Sequence, residues 1–252
     1  MGYLKFGVFP GDNGWFSITL CLPEIEEGLR QAVVDPAVFD AVCRQLPGPA
    51  RWIEPDRAEG MSRVFGMGQL ESRWREYAPE GRAAVLGFFA VGDSLVRTNP
   101  LYGRGCSFAA VGAQGLRDAL DATPDPAERI VRYSRAARAE LRPYFEVMRD
   151  SDRSAIRRAR QTLTPGVKPS LKGRIVKSFL DDGVAIAIRE DVDILRAFLR
   201  GFHMLEHPQA WLKRPGNLAK VLAAWARPRR TKAYPPKLGP ERTEMLAALG
   251  LA

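Results

Sequence analysis

Apolar residues at Val192, Leu195, Phe198, Leu199, Phe202 and Leu205 recur every three or four positions, the spacing of one face of an α-helix. Helical periodicity of this kind dominates from about Asp125 to the C-terminus. Half of the chain is thereby given to helices, and sheet is expected chiefly from the first half. One segment, Asp182–Ile188, reads equally as a strand or a buried helix, since periodicity alone does not separate the two.

The first half carries different signals. Tyr3–Phe9 and Trp15–Leu22 are aromatic and β-branched runs around Pro10-Gly11-Asp12-Asn13-Gly14, a pattern that predicts a β-hairpin. Two strands alone are marginal, so the hairpin is expected to belong to a larger sheet, and the chain reads as starting mid-domain. Asp35-Pro36 supplies a cap and a first-turn proline for a helix whose apolar positions are 38, 39, 42 and 46, with Pro47-Gly48-Pro49 ending it. Ser62–Leu70 reads as extended, Pro79-Glu80-Gly81 as a turn, and Ala84–Val91 as a buried strand. From Ser107, the apolar residues Phe108, Val111, Leu116 and Leu120, with Ala109, Ala110, Gly112 and Ala113 between them, predict a closely packed helix. No internal repeat is present.

The 252 residues are 46% hydrophobic and 27% charged, an ordinary globular composition. No stretch of eighteen or more apolar residues occurs, so no membrane span is expected. The N-terminus has no secretory pattern, which makes cytoplasmic residence the expectation. Cys21, Cys43 and Cys106 are widely spaced and odd in number, an arrangement that suggests neither a disulfide framework nor a cysteine-rich zinc site. The net charge of +9 and pI near 9.8 favour anionic ligands without choosing among them. Basic residues cluster at 153–160 and 227–232. Each cluster reads first as a solvated surface, with nucleic acid the disfavoured partner.

The chemistry concentrates in Gly92-Asp93 and in Pro100-Leu101-Tyr102-Gly103-Arg104-Gly105, followed by the small-residue helix. Glycines at 103 and 105 let the backbone approach a planar ligand. The free N–H groups and positive dipole end of the helix suit an electron-rich carbonyl system. Asp93, expected at the carboxyl end of a strand, is placed to accept hydrogen bonds from ligand hydroxyls.

Val91-Gly92-Asp93-Ser94, Asn99-Pro100-Leu101-Tyr102-Gly103-Arg104-Gly105 and Ala109-Ala110 together resemble the second flavin-binding segment of FAD-dependent monooxygenases, the family of aromatic hydroxylases, flavin halogenases and epoxidases. With Arg73-Trp74-Arg75-Glu76-Tyr77 upstream, the segment looks closest to the epoxidase-like branch, where Gln and Met are more usual than Arg104 and Cys106. The resemblance implies an α+β chain. Residues 1–82 would form a partial substrate-domain sheet with a helix, 83–124 a flavin-ring-binding strand–loop–helix, and 125–252 a helical region. It further implies that Asp93 bonds the ribityl chain of FAD, that Gly92 and the Pro100, Gly103, Arg104 and Gly105 loop line the isoalloxazine ring, and that N–H groups around Gly105 and Cys106 stabilise negative charge on the reduced ring. No catalytic side chain is assigned. The implied reaction is a monooxygenation of a small apolar organic substrate, with NAD(P)H as electron donor.

Enzymes of this type hold the ADP moiety with a strand, Gly-x-Gly-x-x-Gly and a helix. Gly66-Met67-Gly68 and Gly103-Arg104-Gly105 both fail at the third glycine. An N-terminally truncated chain is therefore expected, weak in FAD affinity alone, and either inactive or completed by a separately encoded nucleotide-binding half. The alternative is a non-catalytic basic module for nucleic acid or an acidic partner. His203-Met204-Leu205-Glu206-His207 matches an inverted zinc-peptidase pattern, but Pro208 follows at once and the reading assigns no metal. Tyr102 and Trp74 read equally as pocket lining or core, Cys106 as packing filler before reactive thiol, and Arg73 and Arg104 as solvated arginines.

Overall fold

The computed structural model describes residues 2–83, 85–164, 166–167 and 169–251. Its architecture is α+β, mostly helical with two small antiparallel sheets. In chain order the main elements are β1 (Lys5–Pro10), β2 (Phe16–Cys21), α1 (Glu27–Ala32), α2 (Pro36–Arg44), α3 (Pro47–Ala50), β3 (Arg73–Trp74) and β4 (Val96–Arg97). They continue with α4 (Gly105–Ala122), α5 (Pro126–Leu163), α6 (Leu171–Ser178), α7 (Ala185–Glu190), α8 (Val192–Phe202), α9 (Ala210–Lys213), α10 (Pro215–Ala226) and α11 (Arg242–Ala248).

These elements form two compact units that alternate along the chain. One takes the chain up to Met67, Ser154–Arg174 and the segment from Tyr234 onward; the other takes Gly68–Arg153 and Ile175–Ala233.

In the first unit the hairpin forms where the sequence predicts it, with Lys5 opposite Cys21 and Pro10 opposite Phe16. The larger sheet expected around it is absent among the described residues, since β1 and β2 pair only with each other. Helices replace the missing strands. Tyr3, Leu4, Leu29, Val42, Leu46, Met245 and Leu246 share a buried core against which Phe6, Leu20 and Leu163 pack. Asp35 caps α2 as expected, its carboxylate accepting from Ala37 N at 2.7 Å and Val38 N at 3.4 Å. Pro47-Gly48-Pro49 starts α3 rather than an irregular stop, because proline suits the first turn of a helix. The Ser62–Leu70 stretch forms no strand, and Phe65 and Met67 stand exposed.

In the second unit, α4 and α5 contribute Phe108, Ala119, Tyr133, Ala137, Leu141, Tyr144, Phe145 and Met148 to one core with Leu95 and Val96. The α5 positions recur at the helical spacing of three and four. The small residues of α4 permit close approach: a β-carbon at Gly112 would sit 3.6 Å from the Tyr133 hydroxyl, and one at Gly115 3.7 Å from Ala136 Cβ. A second core joins Ile186, Ile194, Trp211 and Val221 from α7 to α10. The undecided 182–188 segment is helical, entered through a π turn at Phe179–Val184.

The buried strand expected at 84–91 is not formed. Ala84 lies outside the described residues; Val85, Leu86 and Phe88 are exposed, and Gly87 takes φ +78°. A buried strand needs ladder partners on both sides, and none lies beside this run among the described residues. Among the described residues of the run only Ala90 is buried, and its carbonyl accepts from the Tyr133 hydroxyl at 2.7 Å. The expected strand–loop–helix is thus an irregular segment, a loop and a helix.

Candidate functional site

The end of the connection between β3 and β4 is held by its carbonyls. Arg75, continuing from β3, donates to the Asp93 and Ser94 carbonyl oxygens at 3.0 and 3.2 Å, and the Tyr77 hydroxyl donates to Ser94 O at 3.3 Å. Ser94 closes the turn, its hydroxyl accepting from Val91 N at 3.0 Å and donating to Val91 O at 2.7 Å. Gly92 takes φ +61°, and a β-carbon there would lie 3.3 Å from Ala109 Cβ on α4. The positive φ favours glycine, and any β-carbon would also press on Ala109.

Asp93 therefore sits in a short 3-10 turn, Gly92–Ser94, and not at a strand end. Its carboxylate is exposed and has no hydrogen-bond partner among the described residues. Its Oδ1 lies 3.9 Å from the position a Gly105 β-carbon would take, which sets it beside the start of α4.

Pro100–Tyr102 forms a second 3-10 turn, entered through Asn99, whose Oδ1 accepts from Leu101 N at 3.1 Å, and left through Gly103 at φ +62°. Asp152 on α5 fastens this turn. Its carboxylate accepts from Ser72 Oγ and Asn99 Nδ2, each at 3.1 Å, and the Tyr102 hydroxyl lies 3.0 Å from Oδ1. Burial first, and then the Asp152 charge, push the Tyr102 phenol up to about 12. Sequence reasoning missed Asp152, because its partners lie 50 to 80 positions away. Tyr102 is half-buried, and its hydroxyl also donates to the Met148 carbonyl at 3.1 Å.

At the start of α4 the N–H groups of Gly105, Cys106 and Ser107 have no acceptor among the described residues, and the Arg104 side chain does not cap them. Gly105, Cys106 and Ser107 are exposed. Three donors, a positive dipole end and a free carboxylate beside Gly105 make up an open, exposed corner at the start of α4. Chemically, the N–H groups can donate to an acceptor and the carboxylate can accept from a hydroxyl.

Arg104 departs from its solvated expectation. Its guanidinium donates to Phe202 O at 2.8 Å and lies over the Tyr144 and Phe202 rings at 5.5 and 5.0 Å, a cation–π arrangement. Desolvation lowers its pKa, and its Nε is buried without a partner among the described residues. Arg73 keeps its solvated expectation: it is exposed and pairs at the surface with the exposed Glu71 at 2.6 Å. Trp74 is stacked by Arg142 and Phe145 and also lines a narrow cleft with Tyr77, Phe88, Phe89 and Tyr133. None of Gly92, Asp93, Pro100, Gly103, Arg104, Gly105 or Cys106 lines that cleft.

The zinc pattern lacks its geometry. Helix α8 ends at Phe202, Met204 takes φ +62°, and the Glu206 carboxylate is held by Arg200 at 2.6 Å and Arg214 at 2.7 Å. Among the described residues, no group of three or more His, Cys, Asp or Glu is placed to hold a metal ion, and no helix is long and apolar enough to cross a membrane. No protein-family model and no curated protein matches the chain.

Proposed function

We propose that this chain provides the flavin-ring side of an FAD-dependent oxidoreductase, of the monooxygenase class, acting on a small apolar organic substrate with NAD(P)H as electron donor. The observation that carries the reading is the open corner at the start of α4: the free N–H groups of Gly105, Cys106 and Ser107 beside the free Asp93 carboxylate.

The donor set fits the ring and ribityl parts of FAD. In this reading the N–H groups would donate to a pyrimidine carbonyl, and their fixed dipoles favour negative charge without reorganisation. Asp93 accepts from a ribityl hydroxyl. Gly103, at φ +62°, ends the Pro100–Tyr102 turn, and in this reading the exposed Pro100 and Leu101 side chains would meet the ring. Bound reduced FAD supplies the oxygen chemistry; the chain orients the ring and stabilises its charge. For the ADP part these residues offer no Gly-x-Gly-x-x-Gly turn, so the reading includes completion by a nucleotide-binding half.

Titration with FAD and riboflavin, followed by quenching of flavin fluorescence, tests this. Both are expected to bind, with similar affinity, because the contacts are to the part they share. Asp93→Ala should weaken both about fivefold, the worth of one hydrogen bond of roughly 1 kcal/mol. Absence of saturable binding, or an Asp93→Ala chain that binds as tightly, contradicts the proposal.

A further inference from the structure

Between Asp152 and Asp181 the sequence holds eight Lys or Arg and no acidic residue. In the last turns of α5, Ala159 is buried and Leu163 packs on the core of the first unit. Ile156, beside that packed face, and Arg157 and Arg160, further round toward solvent, all stand exposed, with Arg160 the i,i+4 neighbour of Ile156 and the i,i+3 neighbour of Arg157. In α6, Leu171, Lys172 and Arg174 are exposed as well. None of Arg157, Arg158, Arg160, Lys172 or Arg174 forms an ion pair among the described residues.

The aliphatic residues are the informative part. Ile156, Val167 and Leu171 are 51%, 44% and 66% exposed, interleaved with basic residues along one segment. Single exposed aliphatics are ordinary, but a basic stretch has no use for them if its partner is only phosphate in water. A single-stranded nucleic-acid platform would present aromatic rings for base stacking, and no Phe, Tyr or Trp occurs between Phe145 and Phe179. A lipid headgroup layer rewards both features. Aliphatic side chains enter the acyl boundary, while Arg and Lys lay their stems along it and meet lipid phosphates and carboxylates with their charges.

We infer that the 154–174 segment is a peripheral docking surface for an anionic lipid bilayer, lying on it and not crossing it. This stands independently of the flavin reading.

Co-sedimentation of the full chain with vesicles tests it, using phosphatidylcholine alone and phosphatidylcholine with an equal part of phosphatidylserine. The chain is expected to sediment with the anionic vesicles and stay in solution with the neutral ones. Arg157→Glu with Arg160→Glu should lower the partition coefficient tenfold or more, given that each basic residue near such a surface contributes roughly a further fivefold. Arg157→Lys with Arg160→Lys should keep binding, which separates loss of charge from loss of fold. Ile156→Ser with Leu171→Ser should lower it by about tenfold through lost apolar burial. Equal binding to both vesicles, binding to neither, or an apolar variant that sediments unchanged while duplex DNA displaces the chain would overturn the inference, the last in favour of a nucleic-acid surface.

Discussion

Glu26 and Asp93 are two carboxylates in two very different settings. Glu26, just before α1, is fully buried, and Arg242 on α11 grips both its oxygens at 2.5 and 3.0 Å across 216 positions of chain. Beside it the Tyr3 hydroxyl donates to Pro240 O at 2.9 Å. Asp93, by contrast, is exposed and unpaired on a turn whose backbone is tied down by Arg75, Tyr77 and Ser94. The first is a closed structural lock and the second an open acceptor on a rigid mount. A carboxylate whose partners are all internal serves the fold, whereas one held out on a braced loop is available to a ligand.

The largest expected effect breaks the lock. Glu26→Ala should cost about 3 kcal/mol in unfolding free energy, because it strips Arg242 of the partner that also holds its pKa up; denaturant melts measure it. A loss under 1 kcal/mol would mean the buried pair contributes little beyond its own desolvation.

Next comes the mount of Asp93. Gly92→Ala forces an L-residue into φ +61° and a β-carbon to 3.3 Å from Ala109 Cβ, and should cost about 2 kcal/mol. Tyr133→Phe, which leaves the Ala90 carbonyl without its donor, should cost about 1 kcal/mol at neutral pH. Burial pushes the Tyr133 phenol from 10.0 up to about 12. A raised folded pKa means that this contribution is fully present below pH 10.0 and is lost as pH rises through about 12. Thermal melts over that range should therefore fall less steeply in Tyr133→Phe than in the wild type. Equal slopes would remove Tyr133 from the alkaline transition.

The smallest stability effect is the one that sharpens the contrast. Asp93→Ala should leave unfolding free energy within about 0.5 kcal/mol of the wild type, while weakening flavin binding. A large destabilisation would make Asp93 a structural residue like Glu26.

Local signals in the sequence carried well into the structure. The Pro10–Gly14 turn marks the hairpin, Asp35 caps α2, and the small-residue run after Gly105 becomes a helix that lets the Gly92 turn approach Ala109. Each is decided by residues within a few positions of one another. What was not legible depends on distant partners. The 84–91 run has strand composition but its described residues find no ladder, Asp152 gathers Ser72, Asn99 and Tyr102, and Glu26 meets Arg242 across nearly the whole chain. Arg104 reads as one solvated arginine among 38 basic residues until Tyr144 and Phe202 are brought around it.

The central claim is that the start of α4 receives a flavin ring. Riboflavin titrated into isotope-labelled protein, with backbone amides followed by NMR, tests it most directly. The amide resonances of Gly105, Cys106 and Ser107 are expected to move with a common saturation curve, and Asp93→Ala to shift that curve to higher ligand concentration. Saturation with those three amides unmoved, or no saturable change anywhere, would contradict it.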